Sequence, residues 1–130
     1  MTNSRCYIVL NQELQMPVGK AAVQVGHAMD QVWEAFSIMK EQPTISMLSN
    51  LKYMADFSKW KDDGRKKVLL RAKNDSEVQK YKDKLLDAGY VVFDIVDNGV
   101  NFFNGKTRTG IVVFPVLSEI KEIKRLQVYK

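Results

Sequence analysis

Cys6–Ala28, C-Y-I-V-L-N-Q-E-L-Q-M-P-V-G-K-A-A-V-Q-V-G-H-A, is the stretch whose reading decides the fold. Its first six residues are an apolar run of strand formers and read as a buried first strand. Pro17 suits the first turn of a helix, and apolar residues then recur at helical spacing to about Lys40: Val18, Ala21, Ala22, Val25, Met29, Val32 and Phe36. A buried strand feeding a long amphipathic helix is the opening of an α/β domain. Lys20, Gln24 and His27 fall at i, i+4 and i+7, so they share one helix face. A lysine in a first turn opposes the helix dipole, which favours anions there. The simpler reading of this stripe is the solvated side of an amphipathic helix.

Outward from that stretch the pattern continues. Pro43 breaks the helix, and a second helical pattern runs from about Thr44 to Trp60. Asp62-Asp63-Gly64 signals a turn, and Lys67–Ala72 reads as a second strand. Asn74, Asp75 and Ser76 offer caps for a third helix that Gly89 ends. Tyr90–Val96 reads as a third strand, Asn104-Gly105 as a turn, and Gly110–Phe114 as a fourth strand. Ser118–Leu126 resembles a short amphipathic helix capped by Ser118. The expectation is a single α/β domain over residues 1–130. Its four-stranded mixed sheet is mostly parallel, with the last strand antiparallel and helices on its flanks. In such sheets ligands gather beyond the C-terminal strand ends. The loop leading to Lys20 and the residue Asp97 are both expected there, on neighbouring first and third strands.

The 130 residues suffice for a core without staples, and the one cysteine excludes a disulfide framework and a cysteine metal cluster. Cys6 reads as a small buried apolar residue rather than a nucleophile. No leader and no membrane-spanning run is visible, so the expectation is a soluble cytoplasmic protein that does not contact membranes. Twenty Lys and Arg against 15 acidic residues give a net charge of +5, which suits a polyanion such as RNA. Arg65, Lys66, Lys106 and Arg108 are the candidate nucleic-acid contacts.

Lys20, Gln24, His27 and Asp97 include no serine or cysteine nucleophile and too few ligands for a typical metal site. V-G-K is only a fragment of a phosphate-binding loop. The chemistry that fits is hydrolysis by water, with no cofactor. Asp97 would orient or deprotonate the water, and Lys20 would stabilise the oxyanion or the leaving alkoxide. Gln24 would fix the carbonyl or the lysine. The competing reading of Asp97 is structural, since Asp-Asn-Gly after a strand is an ordinary turn signature.

Over Tyr7–Pro115 the chain resembles the archaeal/eukaryotic-type peptidyl-tRNA hydrolases. The first helix keeps Met16, Gly19, Lys20, Ala22, Gln24, His27 and Ala28 of that family's K-M-G-K-G-K-x-A-A-Q-x-x-H-A. Trp60, Gly64, Lys67 and Val68 match its W-x-x-x-G-x-x-K-V, and Asp97-x-Gly99 stands at its D-A-G-R-T-Q. Arg108-Thr109 lands on a later Arg-Thr pair. The resemblance implies a mixed-sheet domain that cleaves the ester joining a peptide to the tRNA 3′ end. It carries the functional set onto Lys20, Gln24, His27, Asp97 and Thr109. Gln15 and Val18 replace two lysines of the motif. Val100-Asn101-Phe102 replaces Arg-Thr-Gln, so Asn101, which still hydrogen-bonds, takes the place of a catalytic-site threonine. The expected partner is peptidyl-tRNA, with a homodimer left open. Two other readings remain: a non-catalytic tRNA- or RNA-binding module, and a hydrolase of another acyl ester.

Overall fold

Every residue of the first strand, β1 (Cys6–Asn11), is buried, because helices cover both faces of the sheet it centres. The computed structural model of the chain describes residues 3–41, 47–100 and 103–130. After β1 come α1 (Val18–Glu41), α2 (Met47–Asp62), β2 (Lys67–Ala72), α3 (Asp75–Asp87), β3 (Val92–Asp97), β4 (Thr107–Val113) and β5 (Gln127–Val128). The side chains of β1 alternate between two cores. Cys6, Ile8 and Leu10 join Ala28, Val32, Phe57 and Trp60 of α1 and α2 on one face. Tyr7 and Val9 join Val78, Tyr81 and Leu85 of α3 on the other. The Cys6 thiol lies in this interior against the Val113 carbonyl (3.3 Å), and burial pushes its pKa up to about 12. It is therefore a protonated, unreactive thiol at neutral pH.

Local signals set several boundaries. The Asn74 side chain accepts the Glu77 N–H and caps α3. At its other end Gly89 takes φ +92°, while the Tyr90 and Gly89 amides bond the Leu85 and Leu86 carbonyls, closing a Schellman turn. Helix α1 runs one residue beyond Lys40. The expected start of α2 at Thr44 lies outside the described residues.

The sheet corrects the expected architecture. It has five strands in the order β3-β4-β1-β2-β5 and is mostly antiparallel, with β1–β2 its parallel pair. The first and third strands are not neighbours, because the hairpin folds β4 back into the space between them. The expected tail helix is also absent. Residues Lys121–Ile123 form a single 3-10 turn with no side-chain cap, so Ser118 caps nothing there. Gln127–Val128 instead pairs with β2, supplying partners to backbone groups an edge would leave open. On α1 the buried line is Ala21, Gln24, Ala28 and Val32, while Val18 (84%) and Ala22 are exposed. The helix is thus rotated so that its glutamine goes inward.

Strand β3 is antiparallel to β4, and β4 to β1, so β3 and β1 run in the same direction. Their C-terminal ends reach the same edge of the sheet. That edge carries the loop into Lys20 and the end of β3 at Asp97. The Tyr129 hydroxyl donates to the Met16 carbonyl (3.1 Å), tying the chain's last residues to this loop.

Candidate active site

Asp97 ends β3 and is 5% exposed. Its two oxygens do different things. Oδ1 accepts the backbone N–H of Gly99 (2.7 Å), the Asx-turn that the Asp-Asn-Gly sequence favours. Oδ2 accepts Lys20 Nζ (2.9 Å) and Gln24 Nε2 (3.0 Å), with His27 Nε2 at 3.3 Å. The turn reading and the site reading of Asp97 therefore describe different atoms of one side chain. Gly99 has φ +75°, and a Cβ built there would stand 2.0 Å from the Gly105 carbonyl oxygen. The loop thus needs glycine at the position whose amide holds the carboxylate.

The bonds from Gln24 and then Lys20 hold the Asp97 carboxyl far below the usual carboxylate range, outweighing the opposing effect of burial. An anion so stabilised has little affinity for a proton and makes a poor base. It is a fixed negative charge around which the helix stripe is arranged. Lys20 tolerates the wrong end of the helix dipole because this charge faces it, and the Phe103 ring lies 5.3 Å from its Nζ. Of three ammonium hydrogens, one suffices for Asp97.

Gln24 is fully buried. The Thr109 hydroxyl donates to its Oε1 at 2.8 Å, against 3.4 Å to the Ile95 carbonyl, so the one hydroxyl hydrogen belongs to the glutamine. That bond sets the amide with its NH₂ toward Asp97. A carboxylate without a proton only accepts, so His27 Nε2 carries hydrogen in this contact and Nδ1 is the acceptor of a neutral ring. A cleft of about 400 Å³ opens beside these groups, lined by Lys20, His27 and Asp97 with Val23, Val96 and Val100. Among the described residues no group of three His, Cys, Asp or Glu is placed to hold a metal ion. None of the described helices is long and apolar enough to cross a membrane.

Of the candidates, the structure gathers Lys20, Gln24, His27, Asp97 and Thr109. Asn101 lies outside the described residues. The four basic candidates are not together. Arg65 and Lys66 precede β2 at the opposite sheet edge, with the Arg65 guanidinium 5.2 Å from the Trp33 ring. Lys106 is exposed beside Thr107, which pairs with Asp97. Arg108 is held within the protein by Asp75 (2.9 Å), Gln79 (2.6 Å) and Asp94 (3.3 Å). Sequence reasoning missed Phe103 and the Gly99 amide. The Asp-x-Gly spacing was the available signal for the amide, and nothing local marks Phe103.

Comparison with known proteins bears on what this arrangement does. A family model described as peptidyl-tRNA hydrolase PTH2 matches residues 4–126. The chain belongs to that family. The match reaches beyond Pro115, where the resemblance in motifs stops. Relatives named peptidyl-tRNA hydrolase include one from Thermoplasma volcanium, 31% identical over 83% of this chain and 81% of its own length. One from Thermococcus onnurineus is 29% identical over 87% and 85%, and one from Pyrobaculum aerophilum 24% over 95% of each. The carboxylate with its Lys, Gln and His donors is therefore a feature of a PTH2 chain, as is the Thr109 bond behind it.

Proposed function

We propose that Lys20, Gln24, His27, Asp97 and Thr109 carry the hydrolysis of peptidyl-tRNA that membership of the PTH2 family assigns to this chain. The supporting observation is the meeting of Lys20, Gln24 and His27 on one oxygen of the buried Asp97, whose carboxyl Gln24 and Lys20 hold well below the usual carboxylate range.

The reaction is attack of water on the ester carbonyl that joins the peptide to the tRNA 3′ end. Negative charge grows on the carbonyl oxygen and then on the departing ribose oxygen. The Lys20 ammonium, fixed by Asp97 and with hydrogens to spare, stabilises that charge without reorganising. Asp97 is too weak a base to take the proton of the water, so its part is to anchor the cation and orient the imidazole. His27, holding its Nε2 hydrogen toward Asp97, leaves Nδ1 to accept that proton and to return it to the departing ribose oxygen, as in other carboxylate–imidazole pairs. Gln24 and Thr109 are positioning residues that keep Oδ2 supplied with a donor. The exposed Lys106 faces the RNA side of the ester, and Arg65 and Lys66 meet phosphates further along the tRNA. A substrate made in translation puts the protein in the cytoplasm.

The test is release of N-acetyl-aminoacyl groups from tRNA by the purified protein. Lys20→Ala is expected to lower kcat by about two to three orders of magnitude, the usual cost of one preorganised charge stabiliser. Lys20→Arg restores only part, since a planar guanidinium does not fit the place of a compact ammonium. Wild-type turnover by Lys20→Ala, with an unchanged melting temperature, refutes the assignment.

A further inference from the structure

The helix stripe that begins with Lys20 does not end at His27. Helix α1 continues it at the same spacing through Gln31 and Glu34 to Ile38, which is 51% exposed. Three concavities follow this stripe end to end. The reaction cleft shares His27 and Val96 with a second hollow, and that hollow shares Gln31 and Glu34 with a third. The third is an apolar groove of about 330 Å³, walled by Ala35, Ile38 and Met39 of α1 and by Val91 and Phe93. One trough thus runs from the Asp97 carboxylate along the length of β3.

Strand β3 forms the edge of the sheet and is paired on its β4 side alone among the described strands. The Phe114 amide bonds the Val91 carbonyl (2.9 Å), so by antiparallel alternation Phe93 and Ile95 turn their backbone groups toward β4. Val92 and Asp94 turn theirs to the open side, along the trough. A polar backbone row beside an apolar groove is what recognises an extended peptide by strand addition. The charge is selective as well. Between Lys20 and Lys40 helix α1 carries no lysine or arginine, and Asp30 and Glu34 stand exposed on the rim. An RNA backbone is repelled there, whereas a peptide is not.

We infer that this trough is the binding site for the peptide portion of the substrate, which lies as an added strand along β3 with alternate side chains in the Ile38–Phe93 groove. The inference rests on the proposed hydrolysis of peptidyl-tRNA. The reacting ester at Asp97 fixes the direction. The peptide's C-terminal residue sits at the C-terminal end of β3 and its chain extends back toward Val92, parallel to the strand. Val92 to Asp97 spans roughly 16 Å at strand rise, so about five peptide residues are held.

The experiment uses the full chain and tRNA bearing N-acetylated peptides of one to five apolar residues on the same terminal aminoacyl group. KM is expected to fall by about tenfold as the peptide lengthens to four or five residues, the effect of burying one apolar side chain, and then to level. Ile38→Glu, at an exposed position, is expected to erase most of that gain. Methylating the peptide nitrogen that meets the Asp94 carbonyl should do the same with the unaltered protein. A KM independent of peptide length, or a length dependence untouched by both changes, overturns the inference while hydrolysis of the one-residue substrate still stands. Failure to hydrolyse any of these substrates overturns the functional reading and the inference together.

Discussion

Thr109→Val tests whether Gln24 is held for a purpose. Valine has nearly the volume of threonine, so β4 keeps its packing and only the hydroxyl is lost. Gln24 Oε1, fully buried, then loses the 2.8 Å donor that sets its amide. Leaving a buried acceptor unsatisfied costs about 1–3 kcal/mol. For a chain of 130 residues a loss near 2 kcal/mol lowers Tm by roughly 5–10 °C. The amide is also free to turn over and present oxygen to Asp97 Oδ2, removing one donor from the carboxylate that anchors Lys20. Misplacing the ammonium by about 1.4 kcal/mol of transition-state stabilisation lowers kcat about tenfold. Thr109→Ser keeps the hydroxyl and should keep most of the rate at a modest loss of stability. Single-turnover hydrolysis of N-acetyl-aminoacyl-tRNA and thermal melting of the three proteins give the answer. A valine variant with unchanged kcat, or a serine variant as slow as valine, refutes the positioning role.

Three further outcomes are expected. Because the folded carboxyl of Asp97 has a lowered pKa, its stabilising effect is complete above the unfolded value near pH 4 and is lost as pH falls below it. The wild-type Tm should therefore drop more steeply than that of Asp97→Asn on acidification below pH 4, and parallel curves would contradict the lowered pKa. Gly110→Ala places a Cβ 2.0 Å from the Val9 carbonyl oxygen, forcing β4 away from β1. It should cost about 3 kcal/mol or more in denaturant unfolding. Lys106→Ala should weaken tRNA binding and reduce the slope of log affinity against log salt by about one, as for a single phosphate contact. An unchanged slope would remove Lys106 from the RNA surface.

What could be read from the chain was whatever local chemistry controls. The β2 boundaries, the Asn74 cap and the Gly89 stop follow from strand formers and turn residues within a few positions of one another. The Lys20–Gln24–His27 stripe was legible because helix geometry converts spacing into direction. Its meeting with Asp97 was legible because β1 and β3 share a direction, even though they are not neighbours. The insertion of β4 between them depends on long-range pairing that no local pattern records. A two-residue β5 carries no periodicity to detect, and its place is decided by the open edge of β2. Arg108 reads in the sequence as a surface cation, and only the folded chain brings Asp75 and Asp94 to it. Gln24 reads as polar and solvated, yet a donor from β4 and an acceptor from β3 allow it to be buried.

The division of labour between the two oxygens of Asp97 has a consequence for how activity arises during folding. Lys20 and Asp97 are 77 positions apart, and their pairing closes nearly the longest loop in the fold's working parts. The same carboxylate also completes the turn that starts the β3–β4 hairpin. The backbone bonds of helix α1 are local, but the counter-charge of its lysine exists only when that turn has closed and β4 has docked against β1. Recovery of hydrolysis after dilution from denaturant should therefore follow the slowest phase of refolding, lagging behind the return of helical signal. A partly folded chain would own the lysine and lack the catalyst.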